Sequence, residues 1–239
     1  MTTRPILFSG EMVRAILDGR KTQTRRILKP KVPWRGRSEG GHDWIPQDFC
    51  DEHGNQGDWV WAEGGDTHEI GRCPHGIPRD RLYVKEAAWM WCANVIDGTT
   101  PTGRPKHRYI PIAKVPPVFC ATSDKPTEPP TGEWPSPYLW RYKTARFLPR
   151  WASRITLEVT GVRVERVGEI SAADASAEGC GTVLVFEGER TPLLAISGEA
   201  KAADVARFRA LWDSLNAARG FGWDTAPWVW VVEFQRVDR

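Results

Sequence analysis

Eleven of the nineteen prolines fall between residues 92 and 149, and this clustering constrains the fold more than any other feature of the chain. Proline fixes φ near about −65° and has no N–H to donate, which keeps it out of helix interiors and central strands. The pairs Pro116-Pro117 and Pro129-Pro130 make a long regular element there still less favourable. Residues 30–79 are rich in glycine and polar side chains and have the same character. Both stretches far exceed the usual connection of about 4–6 residues, so they read as elaborated loops set into one domain spanning 1–239. A length of 239 residues with 41% hydrophobic content supports a core.

Regular structure is expected at the two ends. Pro5-Ile6-Leu7-Phe8 reads as a short strand, followed by an N-cap at Ser9 and a helix with Met12, Val13, Ile16 and Leu17 on one face. Gly19 stops that helix, which places Lys21 and Thr24 on the following loop or turn. Arg81 to Glu86 reads as a strand, as does Ile155 to Glu165 with a break at Gly161. Ser171 and Asp174 form a capping pattern that opens a short helix from Ala172 to Glu178, stopped by Gly179. Val205, Phe208, Leu211, Trp212 and Leu215 recur at helical spacing, and Trp228 to Phe234 closes the chain as a strand. Strands interleaved with a few short helices predict an α+β fold, a mixed sheet or small barrel.

Net charge is only +3, from 33 basic against 30 acidic residues, so the total does not announce nucleic-acid binding. The local distribution does: nine basic residues and one acid, Asp18, lie between Arg14 and Arg37. Such a cluster suits phosphate, and a solvated face is the bland alternative. Five scattered cysteines and no signal peptide predict a reducing cytoplasm, and no apolar run is long enough to span a membrane. Cys50, His53, Cys73 and His75 are soft ligands at irregular spacing, and ordinary loop residues are favoured over zinc; no metal or cofactor is expected. Thirteen tryptophans, among them Trp34, Trp44, Trp59, Trp61, Trp134 and Trp140, either pack the loops down or offer stacking platforms, with packing favoured for most.

Within the basic cluster, Gly19-x-Lys21-x-x-x-x-Arg26 resembles the signature of the ASCH domain, a PUA-like β-barrel family associated with RNA. Asp80-Arg81-Leu82-Tyr83-Val84-Lys85-Glu86 with Trp89 is similar to the family's Gly-Asp-x-Leu-x-Val-(Arg/Lys)-Glu strand. Residues 147–155 resemble a segment of its longer, often phage-encoded members. Glu169-Ile170-Ser171 through Glu178-Gly179, and Trp230 to Phe234, follow in the same order. The resemblance implies a small PUA-like barrel with flanking short helices and insertions at about 30–79 and 92–149. One departure is Arg79, which stands where the family has the glycine of a Pro-Gly-Asp turn. A Cβ makes positive φ costly at that point.

Small bacterial proteins similar to this chain are N(4)-acetylcytidine amidohydrolases. By motif position the resemblance makes Lys21, Thr24 and Glu178 catalytic, with Gly19, Arg20, Arg25, Arg26 and Glu86 as substrate-binding residues. Threonine is a weak nucleophile, so a lysine must accept its proton, which requires a lysine pKa well below about 10.4. Cationic neighbours and burial both act in that direction, and Glu178 would protonate the leaving amine or orient a water. The same cations would equally serve a phosphate clamp. Three readings stay open: an amide hydrolase acting on a modified nucleoside, a non-catalytic RNA- or nucleotide-binding module, and a ribonuclease.

Overall fold

A computed structural model describes residues 1–29, 45–49, 58–63, 66–134, 137–181, 183–186, 189–192 and 198–237. The chain forms two compact units. The first comprises Met1–Arg4, Ala15–Leu82 and Leu157–Val237, and the second comprises Pro5–Arg14 and Tyr83–Thr156. The fold is α+β, rich in strands and sparing in helices.

In chain order the elements begin with β1 (Thr3–Leu7), α1 (Gly10–Leu17), β2 (Gln23–Ile27), β3 (Ile45–Phe49), β4 (Asp58–Glu63) and β5 (Asp66–Arg72). There follow β6 (Arg81–Lys85), β7 (Ala88–Thr99), β8 (Pro105–Pro111), β9 (Val118–Phe119), β10 (Tyr138–Lys143) and β11 (Thr156–Arg166). The chain closes with α2 (Ala172–Ala177), β12 (Val183–Phe186), β13 (Glu189–Pro192), α3 (Gly198–Asn216) and β14 (Trp228–Val237). A five-stranded sheet has the order β1-β6-β11-β14-β2, and β3-β4-β5 and β12-β13 form smaller antiparallel sheets. Among the described residues these pairings close no barrel. No described helix is long and apolar enough to cross a membrane.

In the first unit, β14 lies between β11 and β2, and Val229, Trp230, Val231 and Val232 are all buried in succession. A strand covered on both faces loses the alternation of a half-exposed one. Val229 and Val231 pack with Val167, Ile170 and Ala175 against Phe208 and Trp212 of α3. Each valine, isoleucine or phenylalanine among them contributes about 1.5–3 kcal/mol by leaving water. Leu215, expected on that face, is 53% exposed, and the seam ends instead at Asn216, whose amide donates to the Trp212 carbonyl. Strand β11 runs unbroken through Gly161. A Cβ there would stand 2.7 Å from Glu233 Oε2, the end of a flexible side chain that would have to move aside.

The turn Ile77-Pro78-Arg79-Asp80 takes a left-handed residue without a glycine. Asp80 N–H donates to the Ile77 carbonyl at 3.0 Å, and Arg79 sits at φ 77°. Proline followed by positive φ is the type II pattern, so Arg79 carries backbone strain that glycine would relieve.

In the second unit, β7 pairs antiparallel with β8, β9 and β10. The proline-rich stretch expected to be loop therefore holds a sheet. Four of its prolines sit where a strand tolerates them: Pro105 and Pro111 at the first and last residues of β8, and Pro116 and Pro117 just before β9. Ala88, Met90, Cys92, Leu148 and Ala152 form the core beneath it.

Candidate active site

The end of α1 and the end of α2 are held together by backbone before any side chain is considered. Arg20 and Lys21 N–H groups both donate to the Ala15 carbonyl, at 2.8 and 3.0 Å, and Thr22 N–H donates to the Ala177 carbonyl at 2.8 Å. Lys21 then makes an isolated antiparallel bridge with Glu178, the C-cap of α2. Gly179 turns the chain away at φ 89°, and a Cβ on it would lie 3.1 Å from Ala15 Cβ and 3.4 Å from Lys21 Cβ. The expected loop around Lys21 is thus a tight seam. Thr24 is not in a turn either but inside β2, paired with Val232 of β14.

Lys21 Nζ donates to Glu178 Oε2 at 2.7 Å and to the Glu178 carbonyl at 2.8 Å. The lysine side chain is fully buried and that of Glu178 is 5% exposed. Burial lowers the Lys21 pKa from its ordinary value; Glu178 opposes the shift and Arg26 adds to it. A lysine in this condition is far readier than a surface one to lose and regain a proton.

Along β2 the pleat alternates sides. Gln23 Nε2 donates to the Asp174 carbonyl at 3.1 Å, and Arg25 Nη2 donates to Glu165 Oε2 at 2.8 Å and to Asp174 Oδ2 at 3.3 Å, so both face α2. Thr24, between them, is turned to the other face of the strand. Arg163 pairs with Glu165, Glu233 and Asp174. The result is three cations, Lys21, Arg25 and Arg163, interleaved with four carboxylates, Glu165, Asp174, Glu178 and Glu233.

One pair in this network is incomplete. Arg25 Nη1 stands 3.5 Å from Glu178 Oε1, and both atoms are buried without a hydrogen-bond partner. The two atoms are each other's ion-pair partners, although no hydrogen bond forms between them.

The remaining expected site residues have other duties. Gly19, at φ 73°, ends α1, and Arg20 pairs with Asp18 and donates to the Gly179 carbonyl. Arg26 is half-buried. Glu86 belongs to the second unit, where Arg154 binds both its oxygens at 2.9 and 3.0 Å. That carboxylate is fully buried and already satisfied, so the arrangement reads as structural and not as a substrate contact. No motif in the sequence marks Gln23, Arg163, Glu165 or Glu233 for this site, and Asp174 is marked only as a helix-capping residue.

Cys50 and His53 lie outside the described residues. Burial pushes the Cys73 thiol up to about 11 and lowers His75 to about 4, with Arg26 and Arg4 adding to the histidine's shift. Among the described residues no group of three or more His, Cys, Asp or Glu is placed to hold a metal. No family model, curated protein or solved structure matches the chain.

Proposed function

We propose that the chain is a PUA-like, ASCH-type amide hydrolase that removes the acyl group from an N(4)-acylated cytosine nucleoside, using Lys21 and Glu178 as its proton-transfer pair. The observation that carries this reading is the buried 2.7 Å contact between Lys21 Nζ and Glu178 Oε2, beside the 3.5 Å ion pair of Arg25 Nη1 with Glu178 Oε1. An amide presents a carbonyl acceptor and an N–H donor side by side, which is the complement of those two atoms.

The resemblance assigns attack on the acyl carbon to the Thr24 hydroxyl. Its proton passes to Lys21 as the C–O bond forms, Arg25 Nη1 steadies the oxyanion, and the C–N bond breaks as the amine takes a proton through Glu178. Water then hydrolyses the threonine ester and returns acetate. Thr24 lies in β2 paired with Val232 and is turned away from Gln23 and Arg25, so its role as nucleophile rests on the resemblance alone.

The phosphate-clamp alternative is weakened by the same network, because carboxylates already neutralise Lys21 and Arg25. Incubation with N(4)-acetylcytidine should release cytidine and acetate, with Lys21→Ala and Thr24→Ala each slower by about 10²- to 10⁴-fold. The lowered lysine pKa predicts a rising pH limb for kcat with its midpoint below the ordinary lysine value of 10.5. No turnover by the wild-type chain would refute the proposal.

A further inference from the structure

Strand β7 and the chain around β10 place four aromatic rings about one cavity in the second unit. Its volume is about 640 Å³, and Trp91, Trp134, Tyr138, Trp140 and Lys125 are among the lining residues. This is within the about 300–1,000 Å³ range of small-ligand sites. Trp91 and Tyr138 are nearly parallel, at 15° and 6.5 Å, while Trp134 and Trp140 are turned 68° and 65° to Trp91 at 6.0 and 5.3 Å. The rings are fixed in place: Trp134 Nε1 donates to the Pro130 carbonyl at 2.9 Å, and Trp140 Nε1 donates to the Glu128 carbonyl at 2.7 Å. Trp91 is 6% exposed, and its Nε1 is buried with no acceptor.

The surrounding charge selects the ligand. Lys114 Nζ lies 5.0 Å over the Trp134 ring and Lys125 Nζ lies 5.4 Å over Trp89, and both lysines are exposed. Residues 88–149 carry eight Lys and Arg against four Asp and Glu, a net +4, while the whole chain carries +3. A cationic guest would meet the ammonium of Lys125, which lines the cavity, and that of Lys114 over the Trp134 ring. A flat, neutral ring carrying an anionic group suits both features, with the ring on the aromatics and the anion on Lys125.

We propose that this cavity binds a nucleobase carrying a phosphate, with the base stacked on the tryptophans, one base acceptor taken by Trp91 Nε1 and the phosphate held by Lys125. The site shares no residue with the Lys21 site and does not depend on the deacylase reading. Base stacking on aromatics and salt-sensitive phosphate contacts are general features of single-strand binding.

The test is a titration of the full chain, followed by tryptophan fluorescence, with uridine monophosphate and with an eight-nucleotide oligouridylate. Saturable quenching by the mononucleotide shows that the cavity takes free nucleotides, and quenching by the oligomer alone shows that it takes them within a strand. Trp134→Leu should weaken binding about tenfold. Lys125→Glu, on an exposed side chain, should weaken it about threefold and reduce the salt dependence by about one counterion. Near-ultraviolet circular dichroism checks that both variants are folded. Absence of quenching by either ligand overturns the proposal, as does binding that Lys125→Glu leaves unchanged in strength and salt dependence, or saturation by a proline-rich peptide in place of the nucleotides.

Discussion

The Lys21 site and the aromatic cavity both draw on stretches rich in positive charge, yet they dispose of that charge in opposite ways. Around Lys21 the cations are buried, or half-buried in the case of Arg163, and each meets a carboxylate, so the local sum is near zero. Around Trp134 the lysines lie exposed above ring faces. A basic run in a sequence therefore says little about whether its charge is available. What decides is whether the chain folds its carboxylates onto it.

The contrast is broken most sharply by removing one partner of each region. Glu178→Leu strands a buried ammonium and should cost about 3–5 kcal/mol in urea unfolding, whereas Lys21→Met with Glu178→Leu should recover most of the loss. Lys125→Glu in the second unit should stay within about 0.5 kcal/mol of wild type. Equal losses for Glu178→Leu and Lys125→Glu would erase the distinction.

A smaller effect sharpens it through pH. The folded pKa of His75, about 4, lies below the ordinary 6.5, so between those values the unfolded chain binds a proton that the folded chain refuses. Stability is fully present above pH 6.5 and falls as pH drops toward 4, by about 1–2 kcal/mol once partial exposure is allowed for. His75→Gln should flatten that part of the stability curve, and an unchanged slope would remove the histidine from the account. Smallest is the turn at Arg79, where Arg79→Gly should raise the midpoint of unfolding by the equivalent of about 0.5–1 kcal/mol through relief of positive φ.

The elements that were legible in the sequence have strictly local causes. Ser9 and Ser171 cap helices through side chains that reach only three residues ahead, to Met12 N–H and Asp174 N–H. The Pro78-Arg79 turn was not legible in this way, because arginine argues against the positive φ that Arg79 adopts at 77°. The network around Arg25 was not legible, because Glu165 stands 140 positions away and no periodicity connects the two strands. The sheet in the second unit was hidden for another reason: Pro105 and Pro111 read as breakers, although they bound a strand and do not interrupt it. Glu178 became a candidate only through the resemblance, and the bridge to Lys21 then gave it a physical partner.

The most direct test of the central claim replaces Lys21 by arginine and measures the rate of cytidine release from N(4)-acetylcytidine. Arginine keeps the positive charge but cannot give up its proton in the working range. If Lys21 relays a proton, Lys21→Arg loses about 10²-fold or more in kcat while circular dichroism stays that of the folded wild type. A folded Lys21→Arg protein that turns over within a few-fold of wild type would show that only the charge matters, and would contradict the account.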